Sequence, residues 1–498
     1  MVTRHIRYAY RESGLASVYA TGRDAWIIIL ARSLRMFAYG ASSLILALFF
    51  AALDVSDERI GLFMSLTLAG DVVLSLVLTF LADHFGRRRT ILLGSVLMAV
   101  SGLAFAFCEN YWLLLMAAIV GVISANGGDF GPFRVVEESM LSELTDPNTR
   151  ADVLVWYVTV SALGSSVGTA VAGHVIHRLH SGPAAWPLLR VYHLCYLAYA
   201  VTGALNLGLS LVLSPPAVST SSDSFSVDSA KAPRDIHDYT LGHTPDHTYD
   251  DSDNDDDDDE QLATPSPSKS RFSQISSQTR RTLYALWFLL MVDSLADGMA
   301  TMPLTTYYLD TKFPKLGKNA LGSILSASYF LAACSSIFAG PLARYIGLVN
   351  TMVFTHVPSS AAVLLFPWPA SVWLTCVLLL VRVGLNNLDQ APRAALIAAI
   401  VRSEERTAVM GVTSLLRTLA STTGPSLTGL LAGHDRFWIA FVVSGALRLA
   451  YDFGLFAMFV NIRLYQYEAV PNATAAAEAD SELSRSTRDV LDEEESIG

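Results

Sequence analysis

Thr79-Phe-Leu-Ala-Asp-His-Phe-Gly86 and Gly340-Pro-Leu-Ala-Arg-Tyr-Ile-Gly347 are one stretch written twice, 261 residues apart (340 less 79). The same offset sets ARSLRMFAYG, residues 31–40, against VDSLADGMAT, residues 292–301, so that Arg32 falls on Asp293, and it sets Gly61 on Gly322. Further along, Asn126-x-x-Asp129-x-x-Pro132 returns as Asn386-x-x-Asp389-x-x-Pro392, and Arg150 with Gly168 and Gly173 behind it returns as Arg406 with Gly424 and Gly429. A repeat of this length makes two similar bundles facing each other across an axis.

Residues are 52% hydrophobic and 16% charged, well under the quarter or so charged that is ordinary in soluble domains. The deficit comes from apolar runs of about 20 residues, the length that spans a bilayer. Twelve spans are expected, at 25–52, 59–82, 90–107, 111–134, 152–175, 191–213, 282–308, 319–340, 349–366, 371–400, 407–431 and 437–460. The runs are continuous rather than alternating, which excludes a β-barrel. The expected fold is an all-α membrane protein of two pseudo-symmetric six-helix bundles, residues 25–213 and 282–460.

Lys and Arg favour the cytoplasmic side of short loops. One side receives the arginines of the head (1–24), Arg87-Arg88-Arg89, Arg150, Arg280-Arg281, Arg344, Arg402 and Arg406, with Lys312, Lys315 and Lys318 as exceptions on the other. Both termini are therefore expected in the cytoplasm. Residues 214–281 are rich in Ser, Asp, Thr and Pro, and read as a disordered cytoplasmic linker. The run DDSDNDDDDDE at 250–260 and an acidic tail at 461–498 carry much of the net charge of −11. Such runs are solvated and say little about partners. The four cysteines lie in or beside apolar runs and match neither a metal site nor a disulfide framework. No signal peptide is evident.

Leu81-Ala-Asp-His-Phe-Gly-Arg-Arg-Arg89 closes the second span. It resembles the loop signature G-x-L-A-D-R-x-G-R-R of the major facilitator superfamily, with Asp83, Gly86, Arg87 and Arg88 matching, Thr79 in place of the leading Gly, and His84 in place of an Arg. The second copy keeps Gly340, Leu342, Ala343 and Gly347 but has Arg344 where the Asp would be. The resemblance covers nearly all of residues 25–460, and the linker resembles those of fungal members. It implies that Asp83, Gly86, Arg87 and Arg88 form a loop that latches the cytoplasmic gate. Without the family, the loop still needs a Gly for a tight turn and arginines for the anionic face. The fifth span holds Gly164, Gly168 and Gly173, and the eleventh Ala420, Gly424, Pro425 and Gly429. The pattern is similar to a glycine motif of drug/proton antiporters, but Thr169 stands where its Pro would be. Close packing between the halves is the reading favoured by small residues at this spacing.

Charged residues inside spans face a cavity or a partner. Helical spacing groups Arg32, Arg35 and Tyr39 in the first span, Asn126 and Asp129 in the fourth, Asp293 and Asp297 in the seventh, and Arg382, Asn386, Asp389 and Arg393 in the tenth. The resemblance implies that these four helices line a central cavity. The Gly/Pro cluster around Asp129 suggests an interrupted helix, a pointer to a transport site. Arg32 with Asp293, and Arg35 with Asp297, then read as charge pairs across the axis, serving substrate binding, proton coupling or a gate lock, or holding structure. Arg448 and Asp452 read as neutralising each other. Asp71 and Arg417 have no obvious local partner.

No phosphate-binding G-x-x-x-x-G-K-[ST] motif occurs, and no nucleophile–base or metal-ligand spacing stands out. The expectation is a transporter, not an enzyme, that moves a small organic solute by alternating access, coupled to protons and without a cofactor. Its partners are that solute, protons and the bilayer, with no nucleic acid; a monomer suffices, in the plasma or vacuolar membrane. The alternative is a non-transporting sensor or scaffold signalling through the linker and tail.

Overall fold

The computed structural model describes residues 15–121, 123, 132–146, 149–183, 185–214, 277–386, 388, 392–393, 396 and 406–459. The acidic tail, most of the head and 215–276 of the expected linker lie outside the described residues. Every regular element among the described residues is a helix. A short α1 (Leu15–Thr21) precedes α2 (Arg23–Ala52), α3 (Asp57–Phe85), α4 (Arg87–Phe107), α5 (Tyr111–Gly121), α6 (Pro132–Leu144), α7 (Arg150–His180) and α8 (Leu188–Val212) of the first half. The second half runs through α9 (Ser277–Met299), α10 (Met302–Lys312), α11 (Lys318–Ile346), α12 (Leu348–Leu365), α13 (Val372–Asn386), α14 (Arg406–Gly433) and α15 (Phe437–Phe459). Helix α9 starts at Ser277, so the last residues of the expected linker are already helical.

Each expected span finds a helix. Among the described residues six helices are long and apolar enough to cross a membrane: α2, α4, α8, α15 and most of α7 and α11. The seventh span is the pair α9 and α10, bent by 42°. The bend has a local cause. Pro303 sits in the first turn of α10, where it lacks an N–H and its ring collides with the carbonyl four residues back.

The repeat is visible in the backbone. Gly86 and Gly347, matched at 261 residues, precede α4 and α12 with φ of +87° and +88°. That conformation strains any residue with a Cβ, which is why both copies of the loop keep Gly there. The cores match as well. Phe105 packs among Phe49, Phe50, Phe63 and Tyr196. Its repeat counterpart Phe366 packs between Tyr308 and Phe441.

Glycines set the helix approaches. A Cβ on Gly164 or Gly168 of α7 would strike the backbone of Ser33 or Phe37 in α2. Gly298 of α9 and Gly424 of α14 make the equivalent contact in the second half. Between the halves, Gly61 of α3 meets Gly429 of α14, and Gly322 of α11 meets Gly173 of α7; a Cβ on Gly61 or Gly173 would lie 2.8 Å from the facing Gly Cα. The glycine-rich stretches thus bring helices together both within and between the halves. Hydroxyls complete the seam. Ser426 donates to Ser65 at 2.7 Å, Ser166 meets Ser326 at 3.0 Å, and Tyr307 donates to Asp57 at 2.6 Å. Tyr329 reaches Ser43 at 3.3 Å. The tightest of these contacts adjoin the connections after α2, α7, α10 and α14, at one end of the bundle.

Candidate functional site

Three helices of the second half each present two polar residues one turn apart: Asp293 and Asp297 on α9, His356 and Ser360 on α12, Arg448 and Asp452 on α15. Side chains at i and i+4 share a face, so the three pairs converge. Asp293 is fully buried. Its Oδ2 accepts from Arg393 at 3.0 Å, while its Oδ1 lies 3.6 Å from His356 Nε2 and takes no hydrogen bond among the described residues. On the far side of the ring, His356 Nδ1 is 2.6 Å from Asp452 Oδ1, and Ser360 donates to Asp452 Oδ2 at 2.8 Å. Arg448 Nη1 donates to Asp297 at 2.9 Å, and Nη2 donates to Asn386 and lies 2.7 Å from His356 Nε2.

Partner chemistry assigns the histidine. Arginine only donates, so Nε2 facing Arg448 is an acceptor; an ionised carboxylate only accepts, so Nδ1 facing Asp452 carries the proton. The neutral Nδ1–H tautomer is the form that satisfies both contacts at once. Asp297, with 37% of its side chain exposed, is the open edge of an otherwise buried cluster.

Arg382 on α13 is tied to the bend in the seventh span. It donates to the Ala300 carbonyl and, at 2.9 Å, to the Thr305 hydroxyl. Thr428 caps the Met299 carbonyl at 2.7 Å. A broken helix frees backbone carbonyls, and inside a membrane neighbouring side chains must satisfy them.

The first half is wired differently. Arg35 makes two 2.7 Å bonds to Glu137 of α6, both side chains buried. Tyr157 of α7 donates to the same carboxylate at 2.8 Å. The Arg32 guanidinium lies 3.9 Å from the centre of the Tyr157 ring, a cation–π distance, and its Nε donates to Ser161. Tyr39 turns to α8 and stacks on Tyr199 with ring centres 6.3 Å apart.

The expected pairs across the axis are therefore corrected. Asp293 pairs with Arg393 and not Arg32; Arg35 pairs with Glu137 and Asp297 with Arg448. Among the described residues every ion pair stays within one half. A buried charge takes a partner from its own bundle, because an uncompensated one is costly and a partner in its own bundle moves with it. The Arg448–Asp452 pairing is also corrected, since Arg448 reaches Asp297 and Asp452 holds His356. Arg417 donates to Ser294 of its own half at 3.1 Å, and Asp71 Oδ1 has no hydrogen-bond partner among the described residues. Asn126, Asp129 and Asp389 lie outside the described residues.

The family model described as Major Facilitator Superfamily matches residues 28–311 and 286–487. The chain belongs to the Major Facilitator Superfamily. An uncharacterised membrane protein of Saccharomyces cerevisiae is 32% identical over 441 residues, covering 88% of this chain and 95% of the yeast protein. Among solved structures, the chain resembles the nucleoside transporter NupG, with TM-score 0.62 and 12% identity over 89% of this chain and 100% of that one. It also resembles a D-xylose–proton symporter, with TM-score 0.61 and 13% identity over 89% and 99% of the two chains. At such identities the likeness is one of fold. By family and fold the chain is a membrane transporter and not an enzyme.

In this facilitator-superfamily protein the signature loop is held by its own half. Arg87 pairs with Glu143 at the end of α6. Arg88 donates to the Leu211 carbonyl at 2.7 Å, at the negative end of the α8 dipole. Gly86 makes the turn, and Asp83 lies in α3 with its side chain outside the description. Glu137 and His356 are the site residues that sequence reasoning missed. His356 is an ionisable residue in an apolar run, which is itself the signal, whereas Glu137 lies past the apolar run beside Glu138 and Arg134.

Proposed function

We propose that the chain is a secondary active transporter that moves a small organic solute by alternating access, with protons as the coupling ion. The observation that supports this best is the seam. The halves meet through glycines and hydroxyls towards one end of the bundle, and the ion pairs of the first and seventh spans lie within their own halves. Among the described residues such a junction can part without separating an ion pair. With both termini in the cytoplasm, the seam lies on the far side, and the loop carrying Arg87 and Arg88 lies on the near side. Arg32, Arg35, Tyr39, Asp293, Asp297, Arg382 and Asn386, with Asn126, Asp129 and Asp389, are the residues assigned to binding and coupling. Asp83, Gly86, Arg87 and Arg88 are assigned to gating. The membrane is plasma or vacuolar, and a monomer suffices.

The test compares metabolites in cells with and without the protein, before and after an uncoupler collapses the proton gradient. One solute class should change with the protein, and the change should vanish with the gradient. An unchanged metabolite profile overturns the transporter reading; a change that survives the uncoupler overturns proton coupling.

A further inference from the structure

We infer that His356 is a proton-operated switch whose Nε2 changes partner, from Arg448 of α15 to Asp293 of α9, while Nδ1 keeps Asp452. The inference deepens the proton-coupled reading above and rests on it for its role in transport, though not for its chemistry. In the present arrangement both ring nitrogens of His356 engage α15: Nδ1 donates to Asp452 at 2.6 Å, and Nε2 accepts from Arg448 at 2.7 Å. A proton added at Nε2 makes that nitrogen a donor. It then faces a guanidinium donor, two cations with no lone pair between them, and the contact cannot persist.

An alternative acceptor is already in place. Asp293 Oδ1 is buried, lacks a hydrogen bond among the described residues, and lies 3.6 Å from the same nitrogen. A small tilt of the ring closes that gap. Oδ2 of Asp293 keeps Arg393, so the new bond displaces nothing on α9. Arg448 keeps Asp297 and Asn386. The one proton comes from water, adds to the Nε2 lone pair and breaks no covalent bond within the protein. Its effect is to tie α12 to α9, the lower half of the bent seventh span, where neutral His356 ties α12 to α15 alone.

The surroundings bear on both states. Asp452 on α15 hydrogen-bonds the ring, Asp293 on α9 stands 3.6 Å from it, and Asp297 stands behind Arg448. Arg448 is the guanidinium that meets the ring, and the other cations nearby are Arg382 on α13, Arg417 on α14 and Arg393 beyond Asp293. Tyr451 presents its ring edge-on at 5.6 Å, and Asn386 on α13 is neutral. Helix α11 carries Lys318, paired with Asp310, and Arg344, whose side chain is outside the description. Nε2 thus stands between a guanidinium it already meets and a carboxylate oxygen 3.6 Å away, the arrangement in which one proton decides a hydrogen bond.

The test uses the full chain in lipid nanodiscs with nitrogen-15 histidine, following ring-nitrogen resonances from pH 8 to pH 5. His356 is identified by its loss in His356→Gln. At pH 8 it should show the single-proton Nδ1–H form, and at lower pH both nitrogens should carry protons. The change should occur at different pH in Arg448→Met, which removes the facing donor, and in Asp293→Asn, which removes the facing carboxylate. Unaltered resonances of His174, His177 and His180 in α7 report that a variant is folded. A second measurement needs no variant: the infrared carboxylate bands of carbon-13 aspartate should show a gained hydrogen bond across the same pH change. A His356 resonance that keeps one form throughout, or that titrates identically in both variants, overturns the switch. Titration of His356 without proton-linked solute flux leaves the switch standing and removes its role in coupling. Proton-linked flux with a silent His356 does the reverse.

Discussion

In the first half, Arg35 and Glu137 close on each other with two short bonds and a tyrosine hydroxyl, a compact pair that uses up its charge locally. In the second half, Asp293, Asp297, His356, Arg393, Arg448 and Asp452 share their bonds over α9, α12, α15 and the segment after α13. The backbones that carry the two arrangements share matched glycine turns and matched aromatic cores. The difference shows that a sequence repeat preserves packing positions while leaving the ionic wiring free to diverge. One half has a fixed pair, with the unbonded Asp71 Oδ1 standing apart from it; the other has a network in which an unbonded acceptor and a histidine stand side by side.

The largest effect that could break this comparison is on transport. Arg32→Ala and Asp293→Ala are each expected to abolish flux of the solute identified by metabolite comparison. Because the two residues belong to separate clusters, exchanging their charges in Arg32→Asp/Asp293→Arg should restore nothing; recovered flux would mean that the halves share a charge pair after all. Next in size is Glu137→Ala, which leaves Arg35 buried without its carboxylate. It should cost about 3–5 kcal/mol, read as thermal unfolding of the purified chain, whereas replacing both partners by apolar residues should cost much less. Third, Gly61→Leu and Gly173→Leu push side chains into facing backbones and should each cost about 1–3 kcal/mol. Equal losses from the two would bear out the symmetry of the seam. Smallest is Glu138→Ala, one residue from Glu137 but in a part-exposed i, i+4 pair with Arg134. It should change stability by no more than about 0.5 kcal/mol in the same measurement.

The spans, the repeat and the glycine approaches are legible in the sequence because each is a local pattern: an apolar length, a fixed offset, a small residue every fourth position. Gly86 and Gly347 can be read as turns for the same reason. Partner choice is not local. Placing Arg32 on Asp293 through the repeat shows that the positions correspond, not that they touch. Glu137 escapes notice when hydropathy ends the fourth span at residue 134, whereas α6 continues through Leu144. His356 stands alone in an apolar run, with no charged neighbour one turn away to place it on a stripe; its partners come from other helices. The bend of the seventh span is hidden because Pro303 lies near the end of the run, where its effect on a helix is hardest to see in composition.

Among the described residues ionic bonds stop at the boundary between halves, and this has a consequence for how such a chain can change over generations. A substitution that alters a buried charge in one half needs its compensating substitution in that same half, within the same block of sequence. The two blocks can therefore differ in charge while the glycines that join them stay matched, Gly61 with Gly322 and Gly173 with Gly429, and Asp83 and Arg344 stand opposite in sign at corresponding places in the two copies.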